Sequence, residues 1–339
     1  MQAIRVPRFG GAEVLETAVL PVPRPGPGEV LVRIACAGVN FSDVYRRMGR
    51  VREGHAPDLL PPYIPGSEGG GEIVALGEGV VGLRAGERVV YGQMNIGSYA
   101  EYAVIPAWRA VRVPEGMQLE TAAAAYVQGS TAYYLSHWVR QLGPGDTCLI
   151  QAGAGGVGQK LVQFAKMLGA RVLTTVGSPQ KAELVRALGA DVVIPYHEVD
   201  FREAVMDATQ GRGVDVVYDG VGATTIARSI RSLRRRGLCV LFGVASGPVD
   251  SVGTLDLAEA GSVFFTRPQL RHYLGSAEDI RRAAAALFEA IQGGHLRVTI
   301  HRIFELAAAA QAHQAIEARE TLGKILLRVG TQTGTGATS

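Results

Sequence analysis

Three glycines near the middle of the chain are spaced to bind the phosphates of a dinucleotide. Gly153, Gly155 and Gly158 form a GxGxxG pattern within the stretch CLIQAGAGGVG at residues 148–158. In such a turn one glycine permits a tight bend, one lets a pyrophosphate approach the backbone, and the third lets the following helix pack closely against its strand. The N-terminus of that helix supplies amide donors and the positive end of its dipole. This stretch therefore predicts dinucleotide binding.

A buried strand and an amphipathic helix flank these glycines and must position them. Residues 148–150 are apolar without alternation, as in a strand covered on both faces of a parallel sheet. Beyond Gly158 apolar residues recur at helical spacing, and Gly169 stands where a glycine would end that helix. Strands and helices then alternate, which predicts an α/β fold with a six-stranded, doubly wound parallel (Rossmann) sheet. The predicted strands lie at residues 148–150, 171–176, 191–194, 214–218, 238–242 and 262–265.

The segments on either side of this central region have a different residue pattern. Before residue 120, proline and glycine separate short β-type runs, which favours a twisted antiparallel sheet or a partly open barrel. After residue 267 the spacing predicts helices over 277–291 and 306–319 and a closing β-run over 325–329. Residues 330–339 contain too few apolar side chains to pack, and we expect them to be disordered.

Composition limits the class of protein. A chain of 339 residues is long enough for two domains. Three cysteines fit a reducing compartment, and the sequence has neither an apolar run of the ~20 residues that span a membrane nor a signal-peptide core, so we expect a cytoplasmic protein. The net charge of +3 is too small to indicate nucleic-acid binding. The local cluster of Arg231 with Arg234, Arg235 and Arg236 is interpreted as a solvated helix end.

The residues after the second predicted strand favour NADPH over NADH. In NAD-binding folds of this kind, a carboxylate about 20 residues beyond the glycines accepts the ribose 2′-hydroxyl. Here the strand ends in Val176, Gly177 and Ser178, without an acid. Gly177 leaves room for a 2′-phosphate, while Ser178 and Lys181 offer a hydroxyl and a cation.

Seven segments spread over nearly the whole chain carry a resemblance to a known family. They are AGVNFSDVYRRMG (37–49), PPYIPGSEGGGEI (61–73), QAGAGGVG (151–158), VGSPQK (176–181), VVYDGVG (216–222), RRGLCVLFGVASG (235–247) and FFTRPQL (264–270). The chain resembles the medium-chain dehydrogenase/reductase superfamily and, within it, the zinc-free branch of NADPH-dependent, zeta-crystallin-like quinone oxidoreductases. The resemblance implies a GroES-like, mainly antiparallel β catalytic domain at residues 1–122, an NADPH-binding Rossmann domain at 123–266, a return to the catalytic domain at 267–329, and a tail at 330–339.

The positions that hold zinc in related enzymes carry other residues here. Zinc-dependent alcohol dehydrogenases of the same superfamily place a cysteine where this chain has Asn40, and the histidine of a GHE motif where it has Ser67. Of that motif only Glu68 remains, and three separated cysteines cannot form a four-cysteine structural site. We therefore predict no metal, and interpret the nearby His55 as a surface loop residue.

Asn40 and Tyr45 are the candidate catalytic residues. Asn40 offers an amide donor and Tyr45 a hydroxyl that can donate a hydrogen bond or a proton. From the residues alone, a turn-forming asparagine and a packed aromatic are equally good interpretations; the resemblance places both near the nicotinamide. Asp43 either orients this loop or caps the helix that follows it.

The resemblance also implies a set of residues along the cofactor, in addition to Gly153 and Gly158 of the turn. They are Gln128, Gly155, Gly156, Val157, Gly177, Ser178, Lys181, Tyr196, Gly220, Phe242, Gly243, Val244, Phe265, Thr266, Arg267 and Arg319. The apolar strand SVFF at 262–265 would otherwise be an exposed sheet edge, so we expect it to pair with its two-fold mate in a homodimer.

Three functions remain open on the sequence. The leading one is an NADPH-dependent reductase of quinones, because a conjugated acceptor delocalises the developing charge and needs little activation by the protein. The second is reduction of α,β-unsaturated carbonyls or enoyl thioesters on the same scaffold. The third is a non-catalytic role, since zeta-crystallin-like proteins include structural and RNA-binding members, and the arginine cluster is compatible with it.

Overall fold

The structure, a computed structural model, describes residues 1–50, 60–92 and 97–330. The chain divides into two compact units, one of Met1–Val127 with Thr299–Ser339 and the other of Gln128–Val298. His55 and the tail at 331–339, for which the sequence predicts a surface loop and disorder, lie outside the described residues. Within the described ranges, no helix combines the length and the apolar character needed to cross a membrane.

The first segment of the chain is mainly β-structure, because its short β-branched runs are separated by prolines and glycines. Its strands and helix are β1 (Gln2–Arg5), β2 (Glu16–Val19), β3 (Glu29–Val39), α1 (Phe41–Arg47), β4 (Glu68–Leu76), β5 (Arg88–Gly92), β6 (Tyr102–Pro106) and β7 (Val111–Arg112). The helix α2 (Leu119–Tyr134) follows and extends into the second unit.

The second unit is the predicted Rossmann sheet. Its elements are β8 (Thr147–Ile150), α3 (Gly156–Met167), β9 (Arg171–Val176), α4 (Pro179–Ala187), β10 (Val192–Pro195), α5 (Phe201–Ala208), β11 (Val214–Asp219), α6 (Ile226–Arg231), β12 (Leu233–Leu241), α7 (Thr254–Glu259), β13 (Phe264–Thr266), α8 (Leu270–Tyr273) and α9 (Ala277–Gln292). All strand pairs are parallel, in the order β10-β9-β8-β11-β12-β13. The sheet order reverses beside β8, where such folds bind nucleotides. Cys148, Leu149 and Ile150 are fully buried, as expected of a strand covered on both faces.

Three details of this unit differ from the prediction. The last strand begins at Phe264 rather than at residue 262, because Ser262 has a φ of 56° and its N–H still donates to Ala258 O at the end of α7. Arg234, Arg235 and Arg236 lie on β12 and not at a helix end, since that strand already starts at Leu233.

The helix α9 also lies in a different place from the one that the sequence suggests. The family resemblance implies that residues 267–329, and with them this helix, return to the catalytic domain, whereas α9 lies in the second unit. There Leu287 packs directly on Gly129, and the Arg282 guanidinium lies 4.5 Å from the Trp138 ring. The apolar face of the helix makes the first contact, and the second is a cation–π contact.

The last segment completes the first unit. It contains β14 (Ile300–Glu305), α10 (Ala309–Glu317) and β15 (Lys324–Arg328). The predicted helix over 306–319 is shorter and starts with a 3-10 turn at Leu306–Ala308. The sequence does not predict β14, because apolar and polar residues do not alternate in its run IHRIFE. The main sheet has the order β14-β15-β3-β4-β5-β7, with β6 also paired to β3; its pairs are antiparallel except for β14 with β15.

One pairing in this sheet decides the surroundings of Asn40. β15 runs antiparallel to β3, with Ile325 opposite Val39. Lys324 therefore lies beside Asn40, although the two residues are 284 positions apart in the sequence. The central core beneath them is apolar and includes Ile34, Ile73 and Leu327.

Candidate active site

Asn40 links the end of β3 to the start of α1, and Asp43 holds it there. The Asn40 backbone N–H donates to Asp43 Oδ2 at 3.0 Å, so the carboxylate caps the helix. The other carboxylate oxygen, Oδ1, accepts from Ser67 Oγ at 2.9 Å. The Asp43 side chain is buried, and its guanidinium neighbour Arg46 lies 3.8 Å away. Asp43 thus caps the helix and, at the same time, connects it to the segment that contains Ser67.

The side chain of Asn40 lies between a lysine and a glutamate. Lys324 Nζ donates to Asn40 Oδ1 at 2.9 Å and also forms an ion pair with Glu68 Oε1. Asn40 Nδ2 in turn donates to Glu68 Oε1 at 2.8 Å, and Glu68 Oε2 accepts from the Val127 N–H at 3.3 Å. These contacts define the orientation of the Asn40 amide, because its oxygen faces the ammonium and its nitrogen faces the carboxylate.

We refer to Asn40, Asp43, Ser67, Glu68 and Lys324 as the polar cluster. Burial raises the pKa of Asp43, against the opposing effects of Arg46 and of the Ser67 hydrogen bond. Burial lowers the pKa of Lys324, and the nearby Asp43 carboxylate opposes this shift. The two carboxylates are balanced by the two cations Lys324 and Arg46, which is the condition under which buried charges are tolerated.

The donor set of the polar cluster does not suit a catalytic zinc. A tetrahedral zinc site is built from thiolate, imidazole and carboxylate ligands. Asn40 and Ser67 supply an amide and a hydroxyl instead, and the Glu68 carboxylate is already bound by Lys324. In the part of the chain that the structure describes, no three His, Cys, Asp or Glu side chains are grouped so that they could hold a metal ion.

Tyr45, on α1, has a buried hydroxyl that makes no hydrogen bond with the described residues. Burial raises its pKa to about 12, although the charges of Arg319 and Arg50 lower it. Its ring stacks on Phe41 with the ring centroids 6.0 Å apart. The phenol therefore stays protonated, and its hydroxyl can donate a hydrogen bond. Arg319, which the resemblance assigns to the cofactor, lies in this first unit and has a φ of 59°.

In the second unit, the three glycines of the turn meet the requirements of a dinucleotide site. A Cβ at Gly153 would overlap the Thr174 side chain, and one at Gly158 would lie 2.8 Å from the Gly153 Cα. A Cβ at Gly155 would meet only Ala152 O, at 3.1 Å, so this glycine leaves the backbone accessible. The turn leads into the N-terminus of α3, whose first amides are available to phosphate oxygens.

Most of the other predicted cofactor residues lie at the carboxyl ends of the parallel strands. Those ends meet at one edge of a doubly wound sheet, which is where such folds bind ligands. Gly177 and Ser178 follow β9, Tyr196 follows β10, Gly220 follows β11, Phe242, Gly243 and Val244 follow β12, and Phe265, Thr266 and Arg267 lie on β13 or directly after it. The side-chain amide of Gln128, on α2, contacts Gly156 and therefore lies beside the glycine-rich turn. These residues therefore lie in the second unit, at one edge of its sheet or beside the glycine-rich turn. Arg319, by contrast, belongs to the first unit.

The end of β9 is where the sequence predicts the 2′-phosphate site, with Ser178 as the N-cap of α4. The Ser178 hydroxyl accepts from the Lys181 N–H at 3.3 Å and thereby caps α4. The space beside Gly177, which the sequence predicts to be open, contains the Tyr196 phenol, because a Cβ at Gly177 would lie 2.5 Å from the Tyr196 hydroxyl oxygen. A cavity of about 260 Å³ adjoins them, lined by Val176, Gly177, Ser178, Pro179, Ala182, Glu183, Arg186, Pro195, His197 and Glu198.

Two site residues are missed by reading the sequence, Lys324 and Asp219. Asp219 is fully buried at the end of β11, and its carboxylate accepts from the N–H groups of Val221 and Gly222 and from the hydroxyls of Thr225 and Ser229. It therefore shapes the loop that contains Gly220. An acid directly before a glycine at a strand end is its signal in the sequence, whereas Lys324 resembles an ordinary lysine at the start of a strand.

The chain matches two protein-family models. The one described as "Zinc-binding dehydrogenase" matches residues 156–290, and the one described as "Alcohol dehydrogenase GroES-like domain" matches residues 26–115. The first corresponds to most of the Rossmann unit and the second to the β-rich segment that carries Asn40, Ser67 and Glu68.

Relatives match over almost the whole length. A quinone oxidoreductase of Pseudomonas aeruginosa is 40% identical over 324 residues, which cover 96% of this chain and 98% of that protein. A 2-haloacrylate reductase of a Burkholderia species is 37% identical, with the same coverage of 96% and 98%. The crystal structure of Escherichia coli quinone oxidoreductase complexed with NADPH is 37% identical, with a TM-score of 0.92 over 97% of this chain and 100% of that chain. The chain therefore belongs, as its sequence motifs suggest, to the quinone oxidoreductase family of the medium-chain dehydrogenase/reductase superfamily.

Proposed function

We propose that this protein is a zinc-independent NADPH:quinone oxidoreductase, which transfers a hydride or electrons from NADPH to a quinone. The observation that carries the proposal is the polar cluster, where Asn40 and Ser67 stand in place of zinc ligands and Lys324 pairs with the Glu68 carboxylate. Such a site offers hydrogen bonds and no Lewis acid, which suits an acceptor that delocalises its own developing charge. The similarity to quinone oxidoreductases over nearly the whole chain supports it.

The proposed cofactor residues hold and orient NADPH. The amides at the start of α3 and the turn at Gly155 bind its pyrophosphate, and Ser178 with Lys181 binds the 2′-phosphate. Asp219 keeps the Gly220 loop in place through hydrogen bonds from four donor groups. When bound, the cofactor supplies the hydride or electrons of the reaction.

The proposed catalytic residues act on the acceptor. Asn40 and Tyr45 donate hydrogen bonds to its carbonyl oxygen. The Tyr45 hydroxyl is the candidate proton donor, because it is buried and forms no hydrogen bond with the described residues. Asp43 caps α1 and so positions the first turn of the helix, which joins Asn40 to Tyr45. Substrate binding satisfies a buried donor that costs free energy when it is unpaired.

A second candidate activity is reduction of α,β-unsaturated carbonyl compounds. The observation that favours it is the 37% identity to a 2-haloacrylate reductase, whose named substrate has a carbon–carbon double bond conjugated to a carboxylate. The same donors would stabilise the enolate that results from hydride addition.

Steady-state oxidation of NADPH tests these proposals. We expect turnover with para- and ortho-quinones and weaker turnover with enones and 2-haloacrylate, and no dependence on added metal. Faster turnover of enones than of any quinone would favour the second candidate. Absence of NADPH oxidation with every acceptor would contradict both.

An RNA-binding role has less support in the structure. Arg231, Arg234 and Arg235 of the arginine cluster line a cavity of about 670 Å³. Arg234 pairs with Asp215, as does the neighbouring Arg212, and Arg231 pairs with Asp256. These acids neutralise much of the charge that a phosphate backbone would need. Steep salt dependence of RNA binding, with competition by NADPH, would reverse this judgement.

We further propose a homodimer in the cytoplasm. β13 is an edge strand of the Rossmann sheet, and Phe264 on it is 63% exposed, so pairing with a second copy would cover an apolar edge. The cysteines Cys36, Cys148 and Cys239 are all buried and unpaired, which supports a reducing compartment.

A further inference from the structure

Lys160 is a buried cation that the proposed chemistry does not use. It lies on α3, is completely buried, and its Nζ donates to Gln128 Oε1 at 3.2 Å. Among the described residues, no carboxylate forms an ion pair with it, and burial lowers its pKa to about 8. Lysines are almost never fully buried without a countercharge, because the desolvated ammonium costs folding free energy. A residue that lowers stability in this way calls for a functional explanation.

The position of Lys160 on its helix directs it toward the glycine-rich turn. It follows Gly156 by four residues, so the two lie on the same face of α3. Helical side chains lean toward the N-terminus of their helix, which here is the end that carries the turn. Gln128 lies between them, since a Cβ on Gly156 would overlap the Gln128 amide, with Nε2 as its nearest atom. Lys160, Gln128 and Gly156 thus form a continuous path from the buried ammonium to the turn.

We propose that Lys160 positions the cofactor: its ammonium fixes the Gln128 amide through Oε1, so that Nε2 donates to the pyrophosphate, and its charge favours the same anion. The inference deepens the proposed function, because it takes NADPH as the ligand. The pyrophosphate is the countercharge that Lys160 lacks in the free protein. In the low dielectric around α3 its attraction to that anion is stronger than at the surface.

Lys166, on the same helix, provides the contrast. It is partly exposed and already forms an ion pair with Asp191 at 2.8 Å. Its charge is therefore neutralised locally, and we expect no effect of it on the cofactor. The variant Lys166→Met is the matched control for Lys160→Met, because both remove one ammonium from α3.

The dissociation constants of NADPH and NADH, measured by nucleotide fluorescence, test the inference. We expect Lys160→Met to weaken both cofactors about tenfold, since they share the pyrophosphate, and to raise the melting temperature of the free protein, since a buried charge is removed. Lys166→Met should leave both constants unchanged. A lower melting temperature with unchanged dissociation constants would mean that Lys160 is only structural, and would overturn the inference.

Moving the charge gives a second test. The double variant Gln128→Lys with Lys160→Met places an ammonium directly beside Gly156, and we expect it to recover NADPH affinity to within about threefold of the wild type. No recovery would contradict a role for the charge. If the wild type itself binds neither nucleotide, the proposed function fails; if it binds them and Lys160→Met binds equally well, only this inference fails.

Proton uptake on binding is a readout that needs no variant. With a pKa of about 8, Lys160 is partly deprotonated at pH 8, and the bound pyrophosphate would raise its pKa, so NADPH binding should take up protons. Calorimetry at pH 8 in two buffers of different ionisation enthalpy measures this uptake, and a value near zero would overturn the inference. Burial is the cause of the low pKa of Lys160. The titratable side chains on the described segments packed against α3 are Glu120, Tyr126, Tyr133 and Tyr134 of α2, together with His137, Cys148, Arg171, Asp191 and Arg297.

Discussion

Lys324 Nζ lies 2.9 Å from Asn40 Oδ1, and the pairing of β15 with β3 brings the two residues together. The ammonium also neutralises Glu68, which accepts a hydrogen bond from the Asn40 amide nitrogen. Hydrogen bonds therefore join the three side chains, and the lysine determines the direction of the Asn40 amide. This arrangement orients the Asn40 amide, which the proposed role of Asn40 as a hydrogen-bond donor requires.

Removing the lysine should disturb both stability and catalysis. Lys324→Met leaves Glu68 buried without its partner, and we expect the free energy of unfolding in urea to fall by about 3–5 kcal/mol. The turnover number should also fall, on the order of tenfold, because the Asn40 amide is no longer fixed. Adding Glu68→Gln to this variant removes the unpaired charge and should restore most of the stability but not the turnover. Equal recovery of both quantities would contradict the positioning role.

Tyr45→Phe isolates the proton donor. We expect kcat to fall by something on the order of ten- to a thousandfold, with NADPH affinity little changed, because only the unpartnered hydroxyl is lost. Burial raises the pKa of Tyr45 to about 12, so the phenol stays protonated over the working range and should cause no inflection in the pH profile below about pH 11. Tyr91→Phe, which removes another buried hydroxyl of the first unit, is the control. Unchanged turnover in Tyr45→Phe would assign the proton to water.

The sequence predicts best what neighbouring residues determine. The dinucleotide turn is local, because Gly153, Gly155 and Gly158 and the helix after them are contiguous, and their spacing alone predicts how they fold. The start of β13 depends on how α7 ends and was misplaced by two residues. Lys324 could not be assigned, because its role depends on a strand pairing across 284 positions.

Cofactor preference should depend on Lys181. Lys181→Ala should weaken NADPH by roughly ten- to a hundredfold, because a charge-assisted contact with the 2′-phosphate is worth about 1.5–3 kcal/mol, and should leave NADH unchanged. The two dissociation constants, measured side by side, check this. Equal losses for both nucleotides would reject the 2′-phosphate assignment; Arg202→Ala, which removes an exposed arginine from α5, serves as the control.

Phe264 should control the oligomeric state. The wild type is expected to be a dimer by solution scattering at micromolar concentration, because β13 ends the sheet with an exposed phenylalanine. Phe264→Glu places like charges opposite each other across the two-fold axis, and we expect monomers. The exposed Leu255 on α7 provides a control, since Leu255→Glu changes charge equally but lies off the strand. A wild-type monomer would refute the proposal.

Activity toward quinones should survive exhaustive chelation. Asn40 and Ser67 offer an amide and a hydroxyl, and Lys324 occupies the Glu68 carboxylate, so the polar cluster provides no set of ligands for a tetrahedral zinc. Hydrogen bonds are then the means by which the protein stabilises a developing oxyanion, and a conjugated acceptor needs no more than that. An isolated carbonyl needs stronger activation than hydrogen bonds provide, so simple alcohols should be very poor substrates. The measurement is turnover with a quinone and with a primary alcohol before and after dialysis against a chelator, with the metal content determined in parallel. Loss of quinone reduction on chelation, restored by zinc, would show that the polar cluster rearranges to bind the metal and would overturn the zinc-independent mechanism.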